Sequence, residues 1–162
     1  MLLWGDLSDA AARGNLRKAL STLRQQFDRW LIVERDVVGL AADKVACDVR
    51  RFEQLAHEGL ATGKAGLLQS ASDLYRGDFL TGVLVRNAPD YDLWLNQTQD
   101  RLRGMGVRLL DTLADHHQQH GENNLAIACL HRVLEMESWR EETYRRLMTV
   151  LAASGQRSAA LH

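Results

Sequence analysis

The strongest constraint on the fold is a repetition in the C-terminal half of the chain. Gly121 and Gly155 lie 34 residues apart, and each interrupts a stretch whose apolar residues recur at helical spacing. Ala126 and Ala160 each follow their glycine by five residues. Three earlier residues also have counterparts 34 positions later, which pairs Leu110, Leu113 and Ala114 with Tyr144, Leu147 and Met148. A period of about 34 residues is that of a helix–turn–helix unit, so the pattern predicts repeated helical hairpins.

The helical pattern extends towards the N-terminus. Apolar spacing predicts one helix from Asp48, a second over residues 67–75, and a long one from Asp90 to His120 with Pro89 in its first turn. The buried side of the long helix is expected to comprise Trp94, Leu95, Leu102, Met105, Leu109, Leu110 and Leu113. We therefore predict an all-α protein of tetratricopeptide-like stacked helical hairpins, an architecture that usually offers a surface to a partner.

Glycines predict where these helices are interrupted. Residues 59–66 are expected to separate two helices, because glycine is unfavourable inside a helix. The loop that follows the second of these helices is expected to return Phe79 and Leu80 to the core. Gly104 and Gly106 either divide the long helix or allow another helix to approach it closely.

The N-terminal part of the chain has a different pattern. Residues 10–27 form a predicted amphipathic helix whose polar side is basic, and this stretch contains no acidic residue. Its apolar stripe comprises Leu16, Leu20, Leu23 and Phe27. Residues 30–33 and 37–40 are prone to form strands, and Arg35 and Asp36 between them suit a tight turn. A small β-hairpin is therefore predicted directly after the helix.

A helix followed by a hairpin is the back half of a winged helix, in which the helix enters the major groove and the hairpin lies along the phosphates. The net charge of −1 argues against a protein that coats nucleic acid indiscriminately. The basic side of the predicted helix is compatible with local contact to DNA. The alternative is that this side is simply the solvated face of a packed helix.

No set of residues in the sequence indicates catalysis. There is no recognisable group of nucleophile, base and acid, and no glycine-rich phosphate loop, so an enzyme is not predicted. His116 and His120 are four residues apart on the long helix and could share a metal ion. The preferred interpretation is that they are polar residues favoured by the helix dipole. We therefore predict neither a metal nor another cofactor.

The two cysteines and the hydropathy predict where the protein resides. Cys47 and Cys129 are far apart and lie beside apolar residues, which is typical of buried thiols in a reducing compartment. No apolar run approaches the roughly 20 residues that span a bilayer, and the N-terminus lacks the pattern of a signal peptide. We expect a cytoplasmic protein without a membrane partner.

The order of motifs resembles a known family. The residues that carry the likeness are Leu3–Asp6, Ala11–Leu20, Leu23, Arg24, Trp30–Leu40, Cys47–Val49, Phe52, Leu55 and, as the most specific run, Leu74–Leu80 followed by Tyr91 and Trp94. The chain is similar to the bacterial transcriptional activator domain of the antibiotic-regulatory-protein type, preceded by the back half of a response-regulator-like winged helix. The likeness covers essentially the whole chain.

The resemblance implies a transcription regulator with two parts. Residues 1–42 would be a partial winged helix, and residues 43–162 the activator domain with its tetratricopeptide-like repeats. Promoter DNA would be a partner of the intact regulator, and the repeats would bind another protein or a second copy, as in a homodimer. Many members respond to signals through additional domains. The residues that match the DNA-binding side are Asn15, Arg17, Lys18, Ser21, Thr22, Arg24 and Arg35.

One departure from the family pattern bears on this function. The family's winged helix has an N-terminal sheet and two further helices before the recognition helix, whereas this sequence starts almost at that helix. The chain is therefore expected to be a fragment of a longer regulator or a shortened relative. The alternative function is a tetratricopeptide-like scaffold for protein interaction that does not bind DNA.

Overall fold

The computed structural model describes residues 2–34, 37–41 and 43–155 of the chain. Six α-helices and one two-stranded antiparallel sheet lie within these residues. In chain order the elements are α1 (Asp9–Phe27), β1 (Leu31–Val33), β2 (Val38–Leu40), α2 (Asp48–Thr62), α3 (Ala65–Leu74), α4 (Pro89–Gln119), α5 (Asn123–Met136) and α6 (Glu141–Ala153). The predicted all-α fold with a small N-terminal hairpin is confirmed.

The residues group into two compact units. The first unit comprises Met1–Cys47 and Gly82–Gln97, and the second comprises Asp48–Thr81 and Thr98–His162. The first unit therefore contains α1, the hairpin and the start of α4. The second contains α2, α3, the rest of α4, α5 and α6.

In the first unit, local chemistry defines both α1 and the hairpin. The Ser8 hydroxyl accepts a hydrogen bond from the Ala11 N–H at 3.4 Å, which satisfies one of the free donors in the first turn of α1. A short 3₁₀ turn leads into β1, whose Leu31 and Val33 lie opposite Leu40 and Val38 of β2. The predicted turn residues Arg35 and Asp36 lie outside the described residues.

The apolar stripe of α1 is present but is not enclosed. Leu16 and Leu23 are each 41% exposed and Phe27 is 44% exposed, and Ala12 is the buried residue of this helix. Each strand of the hairpin has only three residues, so the hairpin covers only part of a stripe of four large side chains. The stripe thus belongs to the accessible surface of the first unit.

A continuous apolar core holds the second unit together. Its largest fully buried apolar side chains come from α3, α4 and α5, and are Leu68, Leu109, Leu110, Leu113, Leu130 and Val133. Helices α2 and α3 pack against each other, and so do α5 and α6. This is the arrangement of helical hairpins that the sequence repeat predicts.

The break between α2 and α3 begins later in the chain than predicted, because the two helices pack closely. Residues 59–66 were expected to separate the helices, but α2 continues through Gly59 to Thr62. A Cβ atom at Gly59 would lie 2.8 Å from the Cδ2 atom of Leu68. The missing side chain therefore lets α3 approach α2, and the turn occurs only at Gly63, which has a left-handed φ of +67°.

The long helix α4 is not divided at its glycines. It runs without interruption from Pro89 to Gln119, as predicted to within one residue at each end. A Cβ atom at Gly106 would lie 2.9 Å from the Cε atom of Met136, so this glycine accommodates the end of α5. Of the two alternatives that the sequence left open, the structure therefore supports close packing.

Four residues that were predicted to lie in the core are exposed or only partly buried. Trp94 and Leu80 are exposed, and Leu80 adopts a left-handed φ of +51° in the loop after α3. Phe79 is half-buried against the core, as predicted. Leu95 is also half-buried. The first turns of α4 thus carry an apolar spacing without being fully enclosed.

The 34-residue repeat is visible in the backbone. Gly121 and Gly155 both have left-handed φ angles, of +72° and +81°, and each follows the end of a helix. Leu110, Leu113 and Ala114 are buried. Among their counterparts Leu147 is buried, whereas Tyr144 and Met148 are exposed. Ala160, the counterpart of Ala126, lies outside the described residues.

Candidate nucleic-acid interface

The polar side of α1 is accessible and positively charged. Arg17, Lys18, Ser21, Thr22 and Arg24 are exposed, and Asn15 is half-buried. No acidic residue follows Asp9 until the helix ends at Phe27, so carboxylates of the same helix do not neutralise this side. A solvent-accessible helix face with this composition attracts phosphates through long-range electrostatics.

Part of this polar side forms one wall of a groove between α1 and β1. The groove has a volume of about 590 Å³ and is lined by Arg17, Leu20, Ser21, Arg24, Gln25 and Val33. Five of these residues belong to α1, and Val33 belongs to β1. Three of the predicted DNA-binding residues, Arg17, Ser21 and Arg24, are therefore brought together beside the hairpin.

The other predicted residues lie elsewhere. Asn15, Lys18 and Thr22 follow each other at helical spacing on a neighbouring side of α1, since each residue turns the helix by about 100°. None of the three lines the groove. The Thr22 hydroxyl donates a hydrogen bond to the Lys18 carbonyl oxygen at 3.2 Å. Arg35, which was predicted to lie at the wing tip, is outside the described residues.

Gln25 lines the groove but was not among the predicted residues. It lies one helical turn after Ser21, so the spacing of four residues places both on the same side of α1. An uncharged glutamine near the end of a helix is a common solvent-exposed residue, so its local sequence does not indicate a role. Only the position of β1 makes it part of a groove.

An apolar opening lies at the other end of the contact between α1 and the hairpin. It has a volume of about 520 Å³ and its lining includes Leu23, Phe27, Trp30, Leu31 and Leu40. The Phe27 and Trp30 rings lie 5.9 Å apart, and the Arg29 guanidinium stacks over Trp30 at 3.9 Å from the ring centroid. The first unit thus presents a basic groove and a separate apolar pocket.

In the second unit, the predicted turn after α3 is fixed by one carboxylate. Asp78 accepts two hydrogen bonds from Arg103 of α4, at 3.2 Å and 2.5 Å, and one from the Tyr75 hydroxyl at 3.1 Å. The hydrogen bonds from Arg103 hold the pKa of Asp78 below its usual value. Burial, followed by the charge of Asp78, raises the pKa of Tyr75 to about 12. Asp78 therefore stays ionised and Tyr75 stays neutral, which gives the loop a structural role.

A comparison with protein families covers the whole second unit and also residues 82–97 of the first unit. Residues 47–162 match the family model of the bacterial transcriptional activator domain. The chain belongs to this family. The match begins at Cys47, directly before α2, and it includes the run from Leu74 to Leu80 on which the resemblance mainly rested. A search of curated proteins finds no match.

Family membership makes the chain a module of transcriptional activators, which is a regulatory class rather than an enzyme class. The activator domain contains three further ion pairs that join α4 to α6 or to the residue before it. Asp111 of α4 accepts hydrogen bonds from Arg140 at 3.0 Å and from Arg146 of α6 at 2.9 Å. Arg146 also bonds to Asp115 at 2.5 Å. These contacts fix α6 against α4.

Arg132 joins α5 to the end of α3 in the activator domain. Its guanidinium donates to the Ser72 hydroxyl, and also to the carbonyl oxygens of Ser72 and Tyr75, each at 3.0 Å. Carbonyl groups in the last turn of a helix have no partner within the helix. Arg132 therefore acts as a cap for α3 from a distant part of the chain.

The histidines at the end of α4 are joined to nearby polar groups. The Nδ1 atom of His117 lies 2.6 Å from Glu122, and that of His120 lies 2.7 Å from the His116 carbonyl oxygen. The hydrogen bond with His117 lowers the pKa of Glu122. Within the described part of the activator domain, no group of three or more potential ligands converges on a metal position.

Among the described residues, no helix is long and apolar enough to cross a membrane.

Proposed function

We propose that this chain is a DNA-binding module of a transcription regulator. In this proposal residues 1–42 form the back half of a response-regulator-like winged helix, and residues 43–162 form the activator domain. The observation that carries the proposal is the exposed basic side of α1, followed at once by an antiparallel hairpin and then by an activator domain. The module acts on promoter DNA in the cytoplasm.

The chemistry of α1 supports distinct roles for its residues. Arg17 and Arg24 supply charge to phosphates, and Arg35 is proposed to do the same from the predicted turn of the wing. Lys18 can bind phosphate or guanine, while Asn15, Ser21 and Thr22 carry groups that hydrogen-bond to DNA. A helix about 10–12 Å wide fits the major groove, which is about 12 Å wide. The proposal therefore requires no rearrangement of α1.

The test is the fluorescence anisotropy of labelled random duplex DNA, titrated with the 162-residue chain at two salt concentrations. We expect binding that weakens as salt rises, because phosphate contacts release counterions. Arg17→Glu/Lys18→Glu should weaken binding and lower the salt slope by about 0.9 for each lost phosphate contact. Binding with an unchanged slope in this variant would contradict the role of α1.

A matched control is available in the activator domain. Arg50 and Lys64 are exposed on the second unit, and Arg50→Glu/Lys64→Glu makes the same change in net charge. This variant should bind DNA nearly as well as the unmodified chain if α1 is the contact surface. Equal weakening by both variants would indicate that only net charge matters. Circular dichroism of each variant checks that the helices remain folded.

A second candidate function is a protein-interaction scaffold without DNA binding. The observation that favours it is an exposed apolar side near the C-terminal hairpin, where Trp139 is 72% exposed and Tyr144 and Met148 are also exposed. Exposed aromatic and methionine residues are common in protein interfaces. The partner would be another protein or a second copy of the chain. Absence of salt-dependent DNA binding, together with concentration-dependent self-association in sedimentation, would favour this function.

A further inference from the structure

The groove between α1 and β1 combines three kinds of surface. Arg17 and Arg24 are basic, Ser21 and Gln25 are neutral and polar, and Leu20 and Val33 are apolar. Phosphate contact uses the donors and the positive charge, whereas Leu20 and Val33 add apolar surface that phosphates do not need. The groove therefore has apolar groups in addition to the charged and polar groups that non-specific binding to DNA requires.

The polar groups of the groove are available to a ligand. Among the residues that the structure describes, the side chains of Arg17, Ser21, Arg24 and Gln25 have no hydrogen-bond or ion-pair partner. All four are exposed. This distinguishes them from Thr22, whose hydroxyl already donates to the Lys18 carbonyl oxygen.

The spacing of these residues suits the edge of a base pair. Ser21 and Gln25 lie one turn apart on the same side of α1, and Arg17 lies one turn before Ser21. A glutamine amide can pair with both N6 and N7 of adenine in the major groove, whereas an apolar side chain can contact the thymine methyl group. Gln25 thus carries a group that can pair with adenine, and Leu20 and Val33 line the same groove.

We infer that Gln25, assisted by Ser21, reads an A·T base pair in the major groove while Arg17 and Arg24 contact the flanking phosphates. This inference rests on the proposed function, because it assigns sequence preference to the same DNA-binding surface. Gln25 is then a determinant of specificity, and the two arginines are determinants of affinity. Removing the amide relaxes the preference at one base pair and leaves the salt dependence unchanged.

The experiment begins with the full chain and a randomised duplex library, from which the preferred sequences are selected. Anisotropy then compares the best duplex with duplexes in which each A·T pair is replaced by G·C, at constant salt. The unmodified chain should lose about 10-fold in affinity at one such position. Gln25→Ala should lose that discrimination and bind the best duplex about 5- to 100-fold more weakly, with an unchanged salt slope.

Gln26→Ala is the matched control. Gln26 is exposed on α1, directly follows Gln25, and does not line the groove. This variant should keep both the affinity and the preference of the unmodified chain. Discrimination retained in Gln25→Ala, or selection that yields no preferred sequence from a library that binds, would overturn the inference and leave the proposed function intact. Absence of any salt-dependent binding by the unmodified chain would overturn both.

Discussion

Arg103 and Asp78 are joined by two hydrogen bonds, from Nε to Oδ1 at 3.2 Å and from Nη2 to Oδ2 at 2.5 Å. The pair is separated by 25 residues in sequence and connects the loop after α3 to α4. Paired donors of an arginine and the two oxygens of a carboxylate fix orientation as well as distance. The loop that carries the most specific run of the family resemblance is therefore held in one geometry.

Arg103→Ala should destabilise the protein by about 1–2 kcal/mol, a value reduced because both partners are partly exposed. The cost arises because Asp78 loses its paired donors, and Tyr75 remains as its other partner. Urea denaturation followed by circular dichroism measures this change. Arg101→Ala is the control, since Arg101 makes an exposed ion pair with Glu53 and should cost at most about 0.5 kcal/mol. Equal losses in both variants would contradict a special role for the Arg103 pair.

The stability contributed by Asp78 should depend on pH. Its pKa in the folded protein lies below the ordinary value of 3.8, chiefly because Arg103 donates hydrogen bonds to it. The stabilisation is fully present above the unfolded-state pKa and is lost as pH falls through the folded-state pKa. The difference in unfolding free energy between the unmodified chain and Asp78→Asn should therefore be constant above about pH 5 and shrink below about pH 4. Urea titrations at a series of pH values test this, and a gap that persists unchanged in strong acid would refute it.

Gly59→Ala should destabilise the activator domain even though alanine favours helices. The new Cβ atom would lie 2.8 Å from Cδ2 and 3.1 Å from the backbone nitrogen of Leu68, so α3 must move. Overpacking costs about 1–3 kcal/mol, against a gain of about 1 kcal/mol in helix propensity. Gly104→Ala meets no atom within 4 Å and should raise stability by about 0.5–1 kcal/mol. Thermal unfolding of both variants measures the contrast, and a stabilised Gly59→Ala protein would be inconsistent with close contact.

Asp111→Ala should lower stability by about 1–3 kcal/mol, because Arg140 and Arg146 both lose a carboxylate partner. Among the described residues Asp115 bonds to Arg146 alone, and it is more exposed than Asp111, so Asp115→Ala should cost less than about 1 kcal/mol. Hydrogen exchange of α6 amides provides a local measurement. Faster exchange in α6 with little change in α2 would indicate that the arginines act by fixing α6 to α4. A uniform change in both helices would contradict this local effect.

Local chemistry explains the parts of the fold that the sequence predicted well. Proline at the start of α4 and glycines with left-handed φ at Gly121 and Gly155 define helix ends through neighbouring residues alone. The hairpin follows from two short β-prone runs. The 34-residue period then predicts the helical hairpins, although among the counterparts of Leu110, Leu113 and Ala114 the buried one is Leu147.

Features that depend on distant elements were not predictable in this way. The apolar stripe of α1 has helical spacing, but this spacing does not show whether another element covers the stripe. In the structure, Leu16 and Leu23 remain exposed. Gly59 appeared to be a helix breaker because its contact with Leu68 depends on how α2 and α3 pack. Gln25 has an ordinary local context, and only the position of Val33 on β1 makes it part of a groove.

The cap on α3 has a consequence for how the chain is made. Arg132 lies 60 residues after Ser72 and 57 after Tyr75, whose carbonyl oxygens it binds. During synthesis the α2–α3 hairpin therefore emerges long before its cap, and its last carbonyl groups depend on water until α5 arrives. A nascent or proteolysed chain that ends before α5 has an unfinished first hairpin, so the activator domain gains its full rigidity only when its C-terminal hairpin docks.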